Sequence, residues 1–325
     1  MTDALPTLAV VGVGRLSRPM VVRLRRAGHN VAVTNRTRAR ALNVAAETGA
    51  RVLRSPREAA STADIVIVSL SDDTAVREVY HGPDGILAGL RPGTTVLETS
   101  TIAPQTVTSL APRVLERGAV LLDTPVSGSV ELATRGELTF LAGGPREALD
   151  RVRPVMDVLA TRVLHFGESG GGSIMKLAIN SLLLSMATAL AESLVLAERA
   201  GIDRADAYDA FTQSAAAAPF MLYNRDNFVR PDEAAIHMTL SLVAKDLTLI
   251  DALASSVGAP MVQLEANSRL IDQAVAAGLG DRDGVSVLAE LLRHTAATEA
   301  GQPPERRIRP PGSPRPHTAG DPNGL

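Results

Sequence analysis

The chain has 325 residues, of which 45% are hydrophobic and 21% are charged, a composition typical of a folded protein with two domains. Its 33 basic and 35 acidic residues give a net charge of −2, without the basic excess expected of a dedicated nucleic-acid-binding protein. The chain contains no cysteine, which excludes disulfide bonds and cysteine-ligated zinc.

Short apolar runs alternate with amphipathic patterns through the first half of the chain. The predicted strands, in chain order, are residues 8–13, 31–34, 65–70, 95–98, 120–123 and 138–142. The predicted helices span residues 16–27, 38–48 and 105–117. Strands that alternate with helices predict a mostly parallel sheet with helices on both faces.

The pattern changes near Gly167. Residues 167–173 are rich in glycine, and residues 174–200 then form an uninterrupted helical pattern that stops at Gly201. Nearly everything from there to residue 300 is predicted helical. We therefore predict two domains, an α/β domain at residues 1–166 and an all-helical domain at residues 167–300.

The last 25 residues, 301–325, hold seven of the 20 prolines and few apolar residues. Such a segment buries too little apolar surface to offset the entropy lost on ordering, so we predict a disordered extension.

A glycine-rich turn follows the first predicted strand. Gly12 and Gly14 occupy the first two positions of a G-x-G-x-x-G pattern, and Ser17 replaces the third glycine. The pattern allows the backbone to approach a pyrophosphate at the positive end of the following helix. A strand before the turn and a helix after it predict a Rossmann-type dinucleotide site, in which Arg15 and Leu16 also contact the cofactor.

The end of the second predicted strand indicates which dinucleotide binds. NAD-binding proteins place an acidic residue there for the ribose 2′-hydroxyl, but this chain has Asn35, Arg36 and Thr37. An arginine can bind a 2′-phosphate through two hydrogen bonds and stack beside the adenine. We therefore predict that NADP(H) is preferred over NAD(H).

Lysine is rare in this sequence. Of the 33 basic residues only Lys176 and Lys245 are lysines. Arginine stays protonated, whereas a buried lysine can lose its proton near neutral pH. The two lysines are therefore candidates for a task that a guanidinium cannot perform.

Several segments in order resemble the β-hydroxyacid dehydrogenases, the relatives of 3-hydroxyisobutyrate dehydrogenase. The opening stretch at residues 12–37 is similar to the start of that family. Four later segments resemble its S-T-x-x-P loop, its D-x-P-V-S-G-G motif, its catalytic segment and its K-D-L motif, at residues 98–104, 123–128, 170–180 and 245–247. Both lysines fall within these segments.

The resemblance implies that Lys176 is the general acid/base. Hydride delivery to a carbonyl leaves an alkoxide, which a nearby ammonium group can protonate. Asn180 lies one helical turn further on the same face, where the family places a hydrogen-bonding partner for the substrate or for the lysine. Ile179 before this asparagine favours the glyoxylate/succinic semialdehyde reductase branch of the family.

The resemblance also assigns binding residues. Ser127 and the backbone at Gly128 would hold a substrate carboxylate, and Lys245 would lie near the nicotinamide and the substrate, unless it is simply a solvated ion-pair partner of Asp246. Leu70 and Thr101 would contact the cofactor. The expected substrate is a small aldehyde or keto acid that is reduced to a hydroxy acid, or oxidised in the reverse direction.

The substrate loop departs from the family pattern. Two of its glycines are replaced, by Ser129 and Leu132, and we expect a reshaped pocket because glycines there permit close approach. Two alternatives stay open. One is an imine reductase of the same architecture, a class that usually lacks the lysine, and the other is a non-catalytic NADP-binding module.

The remaining expectations concern binding partners, oligomeric state and cellular location. The six histidines form no i, i+4 pair, so we expect no metal. The amino terminus lacks a secretory signal pattern, and the most apolar stretch, residues 182–196, contains Glu192. We expect a cytoplasmic protein that binds neither membranes nor nucleic acid, and whose alanine-rich helices form a homodimer or a higher homo-oligomer.

Overall fold

A computed structural model describes residues 5–299, with side chains described to Arg293. The predicted disordered extension at residues 301–325 lies outside the described residues. The chain forms 15 helices and nine strands within this range. They build two units, one of strands and helices and one of helices alone.

A six-stranded parallel sheet forms the centre of the first unit. The strand order is β3-β2-β1-β4-β5-β6. The strands are β1 (Leu8–Val11), β2 (Val31–Thr34), β3 (Arg51–Val52), β4 (Ile65–Val68), β5 (Thr95–Glu98) and β6 (Val120–Asp123). Every residue of β1, β2, β4 and β5 is buried, as expected for a sheet covered on both faces. The predicted doubly wound Rossmann fold is confirmed.

Six helices cover this sheet. They are α1 (Ser17–Arg26), α2 (Arg38–Thr48), α3 (Pro56–Thr62), α4 (Asp73–Tyr80), α5 (Ile86–Gly89) and α6 (Pro104–Leu115). Alternate residues of the strands enter two separate apolar clusters, with Leu8 and Val10 in one and Ala9 and Val11 in the other. The sheet therefore separates two hydrophobic layers.

A second, smaller sheet follows, and it differs from the prediction. Its order is β7-β8-β9, with strands β7 (Val126–Ser127), β8 (Leu138–Ala142) and β9 (Ala160–His165). Helices α7 (Val130–Arg135) and α8 (Arg146–Leu159) connect them. Residues 138–142 are a strand as predicted, but β8 pairs antiparallel with β7 and parallel with β9, so it does not extend the main sheet.

The second unit begins with the 29-residue helix α9 (Gly171–Arg199). The following helices are α10 (Arg204–Thr212), α11 (Pro219–Tyr223), α12 (Arg225–Val229), α13 (Leu240–Val257), α14 (Val262–Ala276) and α15 (Gly284–Glu299). These helices share a hydrophobic cluster of their own, which runs from Leu177 to Ala289. The all-helical prediction for this part of the chain is confirmed.

Helix α9 has one buried side and one exposed side. By length and composition it is apolar enough to cross a membrane, a test that the core helix of a soluble protein also passes. Leu177, Leu184 and Leu194 are buried in the helical cluster. On the other side Leu182 is 62% exposed and Leu196 is 73% exposed. The helix thus anchors the core of the second unit and leaves an apolar stripe uncovered.

Candidate active site

The loop between β1 and α1 is shaped by two glycines. Gly12 has φ +91°, and a Cβ atom at this position would lie 2.2 Å from the Ser69 carbonyl oxygen, so only glycine fits. Gly14 differs, because a Cβ there would have only Ser17 Oγ within 4 Å, at 3.9 Å. Gly12 therefore lets the loop pack on the end of β4, and Gly14 leaves an open face.

Ser17, which stands in place of the third glycine, closes the loop through its side chain. Its buried hydroxyl accepts a hydrogen bond from Gly14 N at 2.8 Å and donates one to Gly12 O at 2.8 Å. Leu16 is the N-cap of α1 and offers no side-chain cap. An open glycine face beside an uncapped helix start fits the pyrophosphate of a dinucleotide.

The end of β2 supports the same loop. Asn35 Oδ1 accepts a hydrogen bond from Val13 N at 3.1 Å, and its Nδ2 donates to Thr37 O at 3.0 Å. The structure thus gives Asn35 a positioning role between the two loops. Arg36 is exposed, and no carboxylate among the described residues pairs with it. Its guanidinium is therefore available to an anionic ligand.

The strand order reverses between β1 and β4, which opens a crevice at the carboxyl ends of the strands. Two of the predicted cofactor residues lie at this edge. Leu70 donates its backbone N–H to Ser100 Oγ at 2.9 Å. Ser100 N in turn donates to Glu98 Oε1 at 3.0 Å, just before Thr101. The loop after β5 is thus tied both to the end of β4 and to a buried carboxyl group.

Glu98 is fully buried below this loop. Burial raises the pKa of its carboxyl group to about 7, opposed by the hydrogen bonds from Ser100. The Tyr80 phenol lies beside it, although neither Tyr80 Oη nor Glu98 Oε2 completes a hydrogen bond of normal geometry with a described residue. Asp123 adds its charge from the neighbouring strand, in register with Glu98.

Three predicted residues, Asn180, Lys245 and Thr101, are linked around Asp246, which the site prediction had included only as an ion-pair partner. Asn180 Nδ2 donates to Asp246 Oδ2 at 2.6 Å. Lys245 Nζ lies 2.8 Å from Asp246 Oδ1 and donates to Thr101 O at 2.5 Å. A contact between Lys245 and Thr101 joins α13 to the loop after β5. The K-D-L motif was the sequence signal for Asp246, but not for its bond to Asn180.

Lys176 lies one turn before Asn180 on α9 and is partly buried. Desolvation lowers the pKa of its amine below the ordinary value, and the charge of Lys245 lowers it further, whereas Asp246 acts in the opposite direction. Among the described residues no carboxylate forms an ion pair with Lys176. The amine is therefore placed to exchange a proton with a ligand.

The start of α9 is fixed to the first unit. Asp123, at the end of β6, accepts hydrogen bonds from Ser173 N at 2.8 Å and Ser173 Oγ at 2.7 Å. A Cβ atom on Gly172 would lie 2.3 Å from Leu141 O, so the helix approaches the second sheet at glycine distance. These contacts fix the start of α9, one turn before Lys176, to the end of β6 and to β8.

Ser127 is the last residue of β7, and Gly128 follows it. Gly128 has φ +141°, and a Cβ there would lie 2.8 Å from Leu138 Cδ2. The two departures from the family pattern have structural uses. Ser129 Oγ caps α7 by accepting from Leu132 N at 3.2 Å, and the Leu132 side chain packs on the apolar core.

Together the fold and the glycine turn define the class of the protein as dinucleotide-binding. Comparison with protein families gives the same class. Residues 7–167 match the NAD-binding domain of 6-phosphogluconate dehydrogenase, and residues 170–291 match the NAD-binding domain of NADP-dependent 3-hydroxyisobutyrate dehydrogenase.

Known relatives extend this match. The chain is 30% identical over 297 residues to a probable mitochondrial 3-hydroxyisobutyrate dehydrogenase of Dictyostelium discoideum, covering 90% of this chain and 92% of that protein. It is 29% identical over 303 residues to the chloroplastic glyoxylate/succinic semialdehyde reductase 2 of Arabidopsis thaliana, covering 92% and 83%. The chain belongs to the β-hydroxyacid dehydrogenase family, as its motifs predicted.

Other matches differ in extent. The chain is 32% identical over 280 residues to the cytokine-like nuclear factor N-PAC of Gallus gallus, but spans only half the length of that protein, with 85% of this chain covered. A solved 3-hydroxyisobutyrate dehydrogenase of Mycobacterium tuberculosis with L-serine has a TM-score of 0.77 at 29% identity, covering 89% of this chain and 99% of that one. An imine reductase from Pseudomonas sp. shares the fold, with a TM-score of 0.60 at 21% identity, covering 89% and 100%.

Proposed function

We propose that the protein is an NADPH-dependent oxidoreductase that interconverts a small aldehyde or keto acid and the corresponding hydroxy acid. The observation that supports this most is the environment of Lys176. A partly desolvated amine without a carboxylate partner among the described residues stands beside the dinucleotide edge. The Arabidopsis relative is named for reduction of such a substrate class.

The dinucleotide, when bound, supplies or accepts the hydride. In the reducing direction the Lys176 ammonium donates a proton to the alkoxide oxygen that forms at the former carbonyl carbon. In the oxidising direction the neutral amine accepts the hydroxyl proton. A lowered pKa of Lys176 makes both forms accessible nearer neutral pH.

The neighbours of Lys176 hold its surroundings in place. Asp246 fixes the Asn180 amide by the 2.6 Å hydrogen bond. Asn180 Oδ1 accepts no hydrogen bond from a described residue, so it is available to a substrate hydroxyl or to the Lys176 ammonium. Ser127 Oγ and the backbone at Gly128 would bind the substrate carboxylate. Lys245 adds positive charge there, partly balanced by Asp246.

Preference for NADPH is part of this proposal. Arg36 follows β2 at the position where NAD-binding proteins hold the ribose 2′-hydroxyl with an acid, and its guanidinium has no carboxylate partner among the described residues. Arg38 and Arg40 are exposed nearby and add positive potential. A 2′-phosphate would satisfy this unpaired charge.

We also propose that the protein is a homodimer that buries the exposed stripe of α9. Ile174, Leu182 and Leu196 are 48%, 62% and 73% exposed on one long helix. Exposed apolar side chains in a row along one helix are a candidate interaction surface, and a second copy would cover them with its own equivalent stripe.

The first experiment measures NADPH oxidation by the purified protein against glyoxylate, succinic semialdehyde and cyclic imines in parallel. Lys176→Ala should lower kcat/KM for the aldehyde acids by about two to four orders of magnitude, the usual value of general acid/base catalysis. NADPH binding, followed by fluorescence titration, should be unchanged. Arg162→Ala, exposed on β9, is the control.

The outcomes separate the alternatives. Full aldehyde reduction by Lys176→Ala would contradict the mechanism. Reduction of imines alone would favour an imine reductase. Tight NADPH binding with no turnover of either class would favour a non-catalytic module.

A further inference from the structure

Within the part of the chain that the structure describes, two side-chain hydrogen bonds cross the cleft between the two units, away from the start of α9. One is the bond from Lys245 Nζ to Thr101 O at 2.5 Å. The other runs from Arg15 to Ile236 O at 2.8 Å and joins residues 221 positions apart. Each ends on a backbone carbonyl of the opposite unit, and each involves a loop assigned above to cofactor binding.

Arg15 belongs to the glycine turn, between Gly14 and Leu16. It is exposed, and its partner Ile236 O is neutral. A guanidinium has five N–H donors, so one nitrogen can stay on the Ile236 carbonyl while others bind a phosphate. The turn places this charge beside the pyrophosphate position.

Ile236 lies in the segment Ala235–Thr239, which leads from α12 to α13. The buried Asp283, just before α15, holds this segment from the opposite side. Asp283 Oδ2 accepts from His237 N at 2.9 Å and from Met238 N at 3.3 Å. Asp283 thus fixes the segment to the helical unit. A hydrogen bond from Arg15 to Ile236 O therefore connects Arg15 to that unit.

The same segment leads directly to Lys245. Helix α13 begins at Leu240, and Lys245 is in its second turn. The position of the segment therefore sets where Lys245 meets Thr101 and Asp246. Through α13, Arg15 is linked to the residues that surround Lys176.

We propose that Arg15 is a positioning residue that joins the cofactor phosphates to the segment Ala235–Thr239, so that a bound dinucleotide holds the helical unit closed over the substrate. This inference rests on the proposed function for the identity of the ligand. It adds to the proposed function a physical link between the dinucleotide phosphates and the substrate side of the cleft.

The test compares Arg15→Ala, Arg15→Lys and the control Arg18→Ala. Arg18 is the next exposed arginine, and it pairs with Glu47 at 2.7 Å instead of crossing the cleft. Hydrogen exchange of residues 230–240 is measured with and without NADPH, and KM and kcat are measured for the best substrate of the wild type. A hydrogen bond to a charged group is worth about 1.5–3 kcal/mol, which corresponds to roughly tenfold or more.

NADPH should slow exchange in this segment in the wild type and in Arg18→Ala. In Arg15→Ala the slowing should be lost, and KM should rise about tenfold while kcat changes by less than about twofold. Arg15→Lys should recover part of both effects, because an ammonium can still donate to the carbonyl and attract phosphate.

An NADPH-dependent slowing that persists in Arg15→Ala would overturn the inference, even if NADPH bound more weakly, because Arg15 would then be an ordinary phosphate ligand. The exchange measurement needs binding and no turnover. A protein that binds NADPH and slows exchange but reduces no aldehyde acid would therefore contradict the proposed function and leave this inference intact.

Discussion

Arginine carries almost all the positive charge of this chain, so the role of each arginine depends on what its guanidinium contacts. Arg204 is buried and binds Glu198 at 3.1 Å and Phe228 O at 2.8 Å, a structural use. Arg36 is exposed at the end of β2 and meets no carboxylate among the described residues. Arg204 therefore has a structural role, whereas Arg36 is the candidate for binding a ligand.

Arg36→Glu should reduce affinity for NADPH far more than for NADH. The new carboxylate repels a 2′-phosphate but can accept a hydrogen bond from a 2′-hydroxyl. We expect the ratio of the two dissociation constants to shift by at least about tenfold, since a charge-assisted hydrogen bond is worth about 1.5–3 kcal/mol. Fluorescence titration with both dinucleotides measures it. Arg162→Glu, which makes the same charge change on β9, should keep the original ratio.

Glu98 should make stability depend on pH. Its pKa is about 7 in the folded protein and 4.5 in its ordinary state, so the folded protein holds the proton more tightly. The stabilisation is present below pH 4.5 and is lost as the pH rises through 7. The loss is on the order of 3 kcal/mol.

Glu98→Gln keeps the shape of the protonated carboxyl group and cannot ionise. Urea unfolding should give it a free energy of unfolding similar to that of the wild type at pH 4.5 and clearly higher at pH 8. Other carboxyl groups, such as Asp64 and Asp72 with their lowered pKa values, contribute equally to both proteins. Their contributions therefore cancel when the wild type and Glu98→Gln are compared at the same pH. Glu131→Gln on exposed α7 is the control. An equal pH slope in wild type and Glu98→Gln would contradict the prediction.

At the scale of elements, the start of α9 requires a glycine at position 172. A Cβ on Gly172 would lie 2.3 Å from Leu141 O and 2.7 Å from Asp123 O. Gly172→Ala must therefore move the helix, at a cost of about 1–3 kcal/mol. We expect a lower urea midpoint and a lower kcat, because Lys176 lies one turn further on. Ala252→Ser, at an exposed position on α13, should change neither.

Clear apolar or amphipathic patterns predicted the bounds of strands and helices well, and short segments without such a pattern were missed. Strands β2, β5 and β6 and helix α2 have the predicted bounds, because each is a clear apolar or amphipathic run between turn residues. The two-residue strands β3 and β7 left no periodic signal. The pairing of β8 with β9 depends on a crossover through α8, which no local pattern encodes.

Sequence signals indicated the candidate residues that would act through their own chemistry. Lys176, Lys245 and the glycine turn were indicated by rarity and spacing. The bond of Asn180 to Asp246 spans 66 positions and that of Arg15 to Ile236 spans 221, so neither follows from local spacing. In the sequence, Ser129 and Leu132 are recognisable only as replacements of two family glycines. In the structure Ser129 caps α7 and Leu132 packs on the core.

At the scale of the whole molecule, the exposed stripe of α9 predicts self-association. Light scattering should give twice the chain mass of 34.0 kDa. The double variant Leu182→Glu/Leu196→Glu should give a single chain mass, because charges on the stripe oppose its burial. Leu115→Glu, at a 67% exposed position on α6, should leave the mass unchanged. A wild type with the mass of one chain would contradict the dimer. The cytoplasmic location stays a prediction.

The two bonds across the cleft end on main-chain carbonyls, those of Thr101 and Ile236. A carbonyl acceptor is supplied by the backbone whatever side chain its residue carries. The side chain at position 236 can therefore change, in evolution or in a mutant library, while Arg15 keeps its hydrogen-bond acceptor. A mutant library can diversify position 236 without removing the bond that joins the glycine turn to the helical unit.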